Sequence, residues 1–384
     1  MVRTVLGKGV RTLHPLALLK PQVLEEAGVA FILLLPLLWT LAVAFAYAFG
    51  RAVYFSFTDY DLFKTPEWVG LRNYTQLFKD YRFILAFIHT LTYAGIVTTF
   101  QTALALLLAV VVNRKIRGMT FFRASYYVPS ISSSIVITLI FMWLVHRKGM
   151  VNFALTAIHQ YHRHILLFLA LVVILQAIQV LWERRHRLPA HPLDPVLLLI
   201  SLLGATLGVV VASWTGLLGV AQVSPVEISW LTTERKFLGI PLPFLSIMAL
   251  NIWTTVPTFM VIFLAGLQDV PRELYEVAEL DGATYWQKLW YVTIPAIKPV
   301  MFLVVTLGLI GTLQVFDQIA ITAGVAPLNS VITLAYYVYW NFFGSGTLPK
   351  VGLASAAALF LALLTLVVVL LQRRFGISEK GWYS

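Results

Sequence analysis

Residues 351–372 read VGLASAAALFLALLTLVVVLLQ, a run of 22 residues without Asp, Glu, Lys or Arg. About 20 consecutive apolar residues allow a helix to cross the roughly 30 Å hydrocarbon layer of a membrane. Because lipid offers no hydrogen-bond partners, the backbone of such a run must satisfy its own polar groups, which favours a helix. The run therefore predicts a membrane-spanning helix.

Seven further runs without these charged residues lie along the chain. They cover residues 27–50, 83–113, 124–146, 164–182, 195–226, 237–268 and 299–316. Strict alternation of apolar and polar residues is absent from them, which argues against an outer-membrane barrel. We therefore expect an all-α, polytopic membrane helix bundle with about eight transmembrane helices.

The composition excludes several classes of protein. Hydrophobic residues make up 59% of the chain and charged residues 12%, whereas soluble domains carry about 45–50% and about 25%. A net charge of +11 in a soluble protein would point to nucleic acid. Here the charges lie in short clusters between apolar runs, so we expect membrane lipid and no nucleic acid as a partner. Without cysteine, the chain can form neither disulfides nor zinc–thiolate sites.

The distribution of Lys and Arg predicts the orientation of the spans. If the N-terminus is cytoplasmic, 17 of the 28 Lys and Arg residues fall inside. The three tightest basic clusters, at residues 113–123, 183–187 and 373–374, then all face the cytoplasm. We expect both termini to be cytoplasmic.

One loop between two predicted spans has a pattern of its own. Residues 268–299 read QDVPRELYEVAELDGATYWQKLWYVTIPAIKP. Pro271 suits the first turn of a short helix, and Glu273 and Glu276 suit its positive N-terminal end. Asp281-Gly282 should end this helix, since Gly adopts a positive φ and Asp can cap the next helix. From these properties alone, an ordinary pair of interfacial helices remains an equal alternative.

The same loop carries a recognisable signature. Glu276-x-Ala278-x-x-Asp281-Gly282-Ala283, followed by Ile294-Pro295, resembles the E-A-A…G…I-x-L-P signature of permease subunits of binding-protein-dependent ABC importers. The sequence departs from it at Val277, where the family usually has Ala, and in having Ile before the proline.

Other segments are similar to the sugar branch of that family, the relatives of maltose, glycerol-phosphate and lactose permeases. They are residues 54–58, 68–74, 122–129, 251–257, 264–268, 316–330 and 352–356. The usual T-x-G-G-P is interrupted at residues 322–327, which leaves the shape of that outer loop open.

The extent of the resemblance predicts the organisation of the chain. It covers residues 28–145 and 226–375, a six-span core in two parts, and the second part contains a cytoplasmic coupling loop at 268–298. Residues 146–225 do not fit the pattern and are interpreted as an inserted two-span segment. Residues 1–27 and 376–384 are expected to be cytoplasmic tails.

The resemblance implies a transport function without catalytic residues. No P-loop sequence occurs in the chain, so ATP would be bound by partner subunits and this chain would need no cofactor. The implied partners are a second homologous permease, two ABC ATPase subunits and an extracytoplasmic solute-binding protein that delivers a sugar. The implied location is a bacterial or archaeal cytoplasmic membrane. The residues implied to dock on an ATPase are Tyr275, Glu276, Ala278, Asp281, Gly282, Ala283 and Pro295.

A sugar path needs uncharged hydrogen-bonding groups inside the spans. The candidates are Thr254, Thr255, Thr258, Gly311, Thr312 and Gln314. Threonine in a membrane helix often bonds its own i−4 carbonyl instead, so a purely structural role stays open for each. An anion such as glycerol-phosphate is an alternative solute, but it would favour Lys or Arg within a span.

Two alternatives have less support from the residues. A membrane-embedded transferase would need acidic or His side chains clustered at one membrane face, and the acids of the outer loops lack catalytic spacing. His159, His162 and His164 have no Cys or carboxylate beside them, so we expect no metal site.

Overall fold

The computed structural model describes residues 21–113, 127–186, 194–220, 223–344 and 348–375. Seven helices in these ranges are long and apolar enough to cross a membrane. They are Gly28–Ser56, Tyr81–Val112, His162–Arg185, Pro195–Trp214, Leu242–Gln268, Lys298–Thr322 and Val351–Arg374. The prediction of a polytopic helical bundle with about eight spans is confirmed.

Two of the predicted spans differ in length from the charge-free runs. The run at 124–146 contributes the 11-residue helix Ser134–Leu144, and its first residues lie outside the described ranges. The run at 195–226 was expected to be helical throughout, but its helix ends at Trp214. The chain turns there because Gly216 adopts a φ of +74°, which a continuing α-helix does not allow.

Shorter elements connect or subdivide the spans. The shorter α-helices, which include the parts of interrupted spans, are Pro21–Thr40, Ala48–Ser56, Arg72–Leu77, Met150–Gln160, Arg272–Leu280, Tyr285–Lys288, Ile294–Ala296, Lys298–Leu313, Asp317–Thr322, Leu328–Val331 and Leu334–Tyr339. The last span, Val351–Arg374, belongs to the helix Val351–Phe375. Three π-helical segments cover Leu41–Tyr47, Leu289–Thr293 and Trp340–Gly344. Two small antiparallel hairpins pair Thr58–Asp59 with Glu67–Trp68, and Lys236–Phe237 with Ile240–Pro241.

The chain divides into two compact units, and the first consists of residues 1–84 and 337–364. In it, the buried Asn73 donates hydrogen bonds to the carbonyl oxygens of Ser56 and Thr58, each at 2.9 Å. Asp61 accepts backbone hydrogen bonds from Phe63 and Lys64 at 3.1 and 2.9 Å. Burial would raise the pKa of Asp61, but these bonds and the Lys64 ammonium hold it below its usual value. The segment between the first two spans is therefore an ordered turn.

The second unit consists of residues 85–336 and 365–384. Helices Leu242–Gln268 and Lys298–Leu313 pack together there. Buried apolar side chains from residues 105–109, 256–270 and 297–304 form its core. The cluster includes Val270 and Ile297 at the two ends of the loop at 268–298, so both ends of the loop are anchored in this core.

Helices His162–Arg185 and Pro195–Trp214 pack against each other and are called the inserted hairpin below. A Cβ atom at Gly204 or Gly208 would lie 2.9 or 2.7 Å from the side chain of Leu175 or Leu171, so the two glycines permit this close approach. Inside the contact, the Ser201 hydroxyl donates to Gln176 Oε1 at 2.7 Å. The small residues of this segment thus serve packing within the hairpin.

Candidate functional site

The first helix of the coupling loop covers Arg272–Leu280 and begins directly after Pro271. It ends as predicted at Asp281-Gly282. The Gly282 N–H donates to the Glu279 carbonyl at 3.0 Å, and the Ala283 N–H donates to the Ala278 carbonyl at 2.9 Å. This pair of bonds is a Schellman motif, and it requires the left-handed backbone of Gly282, whose φ is +75°.

The next helix begins differently from the prediction. Its N-cap is Thr284, not Asp281. Gln287 N donates to Thr284 Oγ1 at 3.4 Å, and Thr284 N donates to Gln287 Oε1 at 2.7 Å, which completes a capping box. The carboxylate of Asp281 is exposed and is not used as a cap because its backbone already ends the preceding helix.

The chain then reaches the following span through irregular helical turns. Tyr285–Lys288 continues into the π-helical segment Leu289–Thr293 and the short helix Ile294–Ala296. Pro295 lies in the first turn of that short helix, where its missing N–H costs little. The span itself begins at Lys298, one residue before the predicted start at Pro299.

Tyr275 attaches the first helix to the core. Its side chain and that of Leu274 pack against the buried apolar cluster. Its hydroxyl lies 3.1 Å from the hydroxyl of the buried Thr293, which precedes the span. Tyr275 therefore connects the coupling loop to the base of the helix Lys298–Leu313.

A second connection lies near the exposed end of the loop. Lys288 Nζ lies 2.7 Å from Glu279 Oε1, and the Lys288 side chain is 21% exposed. With the Tyr275–Thr293 contact, this ion pair joins the first short helix to the segment 288–293 at two separated points. The loop can thus move as one body with the start of the span.

The remaining coupling candidates lie on the outside of the loop. Glu276, Asp281 and Gly282 are exposed. Ala278 and Ala283 line a shallow apolar cavity of about 340 Å³ between the short helices. Leu280, which the sequence reading did not single out, is 89% exposed. The signal for it was available, since a leucine directly before a helix-ending Asp-Gly lies at an open helix end.

The candidates for a substrate path separate into two groups. Thr254 donates to the carbonyl oxygens of Leu250 or Asn251 at 3.1 or 3.0 Å, and the buried Thr312 donates to the Gly308 carbonyl at 2.7 Å. Thr255 contacts the Asn251 amide at 3.4 Å. These three hydroxyls therefore have structural partners.

The second group of path candidates consists of Thr258, Gly311 and Gln314, which have accessible surface. Gly311 and Gln314 are exposed, and Thr258 is half-buried. Within the described part of the chain, the side chains of Thr258 and Gln314 form no hydrogen bond. Gln314 is the C-cap residue of helix Lys298–Leu313, and its backbone N–H donates to the Thr312 carbonyl.

The sequence reading missed a buried polar centre in the same unit. Gln318 is 7% exposed, and its Oε1 accepts from Tyr93 Oη and Asn251 Nδ2, each at 3.2 Å. The charge-free run that predicted this span ends before Asp317, so it does not include Gln318. Among the described residues, no cluster of His, Cys, Asp and Glu side chains is placed to hold a metal ion.

The chain is similar to permease proteins of sugar transport systems. The chain is 28% identical to the multiple sugar-binding transport system permease protein MsmF of Streptococcus mutans, over 86% of this chain and 89% of that protein. It is 25% identical to the trehalose/maltose transport system permease protein MalF of Thermococcus litoralis, over 91% of this chain and 94% of that protein.

A solved structure has the same fold. It is the crystal structure of a bacterial ABC transporter involved in the import of the acidic polysaccharide alginate. One of its chains aligns with a TM-score of 0.62 and 20% identity, over 92% of this chain and 96% of that chain. Residues 101–376 match the family described as binding-protein-dependent transport system inner membrane component. The chain belongs to that family of membrane transport components.

Proposed function

We propose that this chain is the permease subunit of an ABC importer for a sugar delivered by an external binding protein. The observation that carries the proposal is the coupling loop, whose first helix is attached at Tyr275–Thr293 and Glu279–Lys288 to the segment that leads into the next span. A loop attached in this way transmits movement from a bound ATPase to the span. Its exposed edge at Glu276, Leu280 and Asp281 is the part that would meet the ATPase.

The complete importer contains four further protein chains in this proposal. Two ABC ATPase subunits bind and hydrolyse ATP, a second homologous permease forms the other half of the path, and a solute-binding protein docks outside. Both termini and the coupling loop face the cytoplasm of a bacterial or archaeal cell. The basic clusters named above support this orientation, because Lys and Arg are enriched in cytoplasmic loops.

A sugar is the proposed solute because the spans offer polar groups without charge. Thr258 and Gln314 provide hydrogen-bonding groups on accessible surface, and the candidate spans carry no Lys or Arg in their interiors. The names of the relatives MsmF and MalF support the same class. Glycerol-phosphate is the second candidate, and it would require cationic groups supplied by the partner permease.

The organisation of the chain is part of the proposal. A six-span core is formed by residues 28–145 and 226–375, and residues 146–225 are added to it. Support comes from the inserted hairpin, whose two helices pack mainly on each other.

Reconstitution tests the proposed function. The chain is co-purified with its partner permease, ATPases and binding protein and placed in liposomes. ATP-dependent uptake of labelled maltose, trehalose and sn-glycerol 3-phosphate is then measured. Uptake of a sugar supports the proposal, whereas uptake of glycerol-phosphate alone supports the second candidate, and ATP-independent or absent transport contradicts both.

A further inference from the structure

A cavity of about 440 Å³ lies in the second unit, away from the coupling loop and the substrate-path candidates. Its polar and aromatic lining includes Trp143, His146, Arg147, Ser229, Trp230 and Thr232. The volume falls within the range of about 300–1,000 Å³ that is typical of small-molecule sites. The cavity is therefore large enough for a small ligand.

The wall of the cavity is held by a buried amide. Asn152 is 2% exposed, and its Nδ2 donates to the carbonyl oxygens of Arg147 and Ile228, each at 2.8 Å. Its Oδ1 accepts from the indole N–H of Trp230 at 2.9 Å. One buried side chain thus fixes both walls, and it satisfies the only polar atom of the Trp230 ring. A wall fixed in advance reduces the entropy lost when a ligand binds.

The charge of the lining is close to balanced. Arg147 pairs with Glu227 at 2.6 Å. His146 Nδ1 accepts a hydrogen bond from the backbone N–H of Lys148 at 3.3 Å, so the Nε2 atom is the ring nitrogen that remains for a ligand. An anion would find its cation already paired, so the lining favours an uncharged ligand.

The chemistry of the lining is that of a carbohydrate site. Two indoles provide flat apolar faces with specific stacking geometry. The hydroxyls of Ser229 and Thr232 and the His146 ring add groups that can exchange hydrogen bonds with sugar hydroxyls. A pyranose ring has one apolar face and a rim of hydroxyls, and both find partners here.

The three segments that line the cavity lie at corresponding ends of their membrane helices. Residues 142–147 cover the C-terminal end of the helix Ser134–Leu144 and the turn after it, residues 229–232 precede the span Leu242–Gln268, and Val325 follows the span Lys298–Thr322. In the proposed topology all three positions are extracytoplasmic. We propose that this cavity is an outer saccharide-binding subsite for an uncharged pyranoside, which the sugar occupies before it enters the spans. The inference rests on the proposed importer function.

The binding test uses the full chain in lipid nanodiscs, with maltose, trehalose and sn-glycerol 3-phosphate as probes. Saturation-transfer NMR reports weak binding of each probe. The subsite predicts saturable binding of at least one of the two sugars and no tighter binding of the phosphate. Trp143→Ala and Trp230→Ala should each weaken sugar binding at least about tenfold, because each removes a stacking face.

The controls separate a site from a folding defect. Trp143 is 70% exposed, so its replacement leaves the packing unchanged even if Trp230→Ala disturbs the Asn152 contacts. Trp214→Ala removes an indole that is 90% exposed on the inserted hairpin and should leave sugar binding unchanged. Equal affinities in the Trp143 variant, the Trp214 variant and the unchanged chain would overturn the subsite, as would tighter binding of the phosphate.

Uptake by the reconstituted importer separates this proposal from the proposed function. If the unchanged importer takes up sugar and Trp143→Ala leaves its KM unchanged, the subsite is wrong and the importer function stands. If the unchanged importer takes up no sugar, the proposed function itself is wrong. The binding protein alone could cover Trp143 and shield it from solvent while the nanodisc-embedded chain binds no sugar. That result would identify a protein-docking surface and overturn the subsite.

Discussion

Lys288 Nζ lies 2.7 Å from Glu279 Oε1 and thereby joins the two short helices of the coupling loop. The two residues are separated by the turn at Asp281-Gly282, so the ion pair closes the loop on itself. Removing it would let the first helix move without the second. The pair is thus a direct means of testing whether the loop has to be rigid.

We predict that Glu279→Lys and Lys288→Glu each lower the sugar transported per ATP hydrolysed by up to about fivefold, because a partly exposed pair contributes at most about 1 kcal/mol. The double exchange restores an opposite-charge pair and should recover most of the ratio. The measurement is uptake and phosphate release in the same proteoliposomes. Additive losses in the double variant would contradict a role for the pair.

Replacement of Gly282 tests the turn. Its φ of +75° costs a β-branched residue roughly 1–2 kcal/mol or more, whereas Asn tolerates this region. We predict that Gly282→Val uncouples ATP hydrolysis from uptake and that Gly282→Asn retains coupling. A Cβ atom at this position meets no atom within 4 Å, so the two variants differ in backbone strain rather than in a clash. Equal coupling in both would argue against the left-handed turn.

Gln318 and Gln314 should respond differently to the same substitution. Gln318→Leu leaves Tyr93 Oη and Asn251 Nδ2 without their shared acceptor, and we predict that the membrane-embedded chain loses about 1–2 kcal/mol of stability. Gln314→Leu removes an exposed amide at the end of a helix and should leave stability unchanged while it lowers uptake. Thermal unfolding in nanodiscs and uptake are the two measurements. Loss of stability in the Gln314 variant would place that residue in the core.

Removal of the inserted hairpin tests whether residues 146–225 are an addition to the core. Asn152 and Thr156 hydrogen-bond Ile228 and Val226 at 2.8 and 2.9 Å, so helix Met150–Gln160 should be kept. We predict that replacing residues 162–214 by a short polar linker preserves insertion, binding of the ATPases and part of the uptake. A chain that assembles and transports nothing would place the hairpin in the path.

Topology can be measured directly because the chain contains no native cysteine. Single cysteines replacing Glu183 and Arg272 should react with a membrane-impermeant maleimide only after the membrane is opened. A cysteine replacing Asp59 should react in intact cells. If the cysteine at position 183 reacts in intact cells and the cysteine at position 272 does not, the two added membrane crossings do not exist.

Some of the structure follows directly from residue chemistry. The absence of charge over 18 to 32 residues predicted the spans, and Gly282 predicted a left-handed turn, because each rests on a local physical requirement. The predicted N-cap of the next helix was wrong because Asp281 and Thr284 are both good N-cap residues. Asp281 already ends the preceding helix, so only Thr284 is available to cap the next one. Gln318 and Asn152 act through partners more than 60 residues away, and a pattern of neighbours along the chain carries no such information.

In the proposed importer, the turn after helix Arg272–Leu280 contacts an ATPase subunit. A single cysteine replacing Leu280, which is 89% exposed, can be crosslinked to lysines in the purified importer with a short bifunctional reagent. A cysteine replacing Leu217, which is 82% exposed beyond the inserted hairpin, serves as the control. We predict a crosslink to the ATPase from position 280 and none from position 217. An intact, transporting complex that gives no ATPase crosslink from position 280 would contradict the claim.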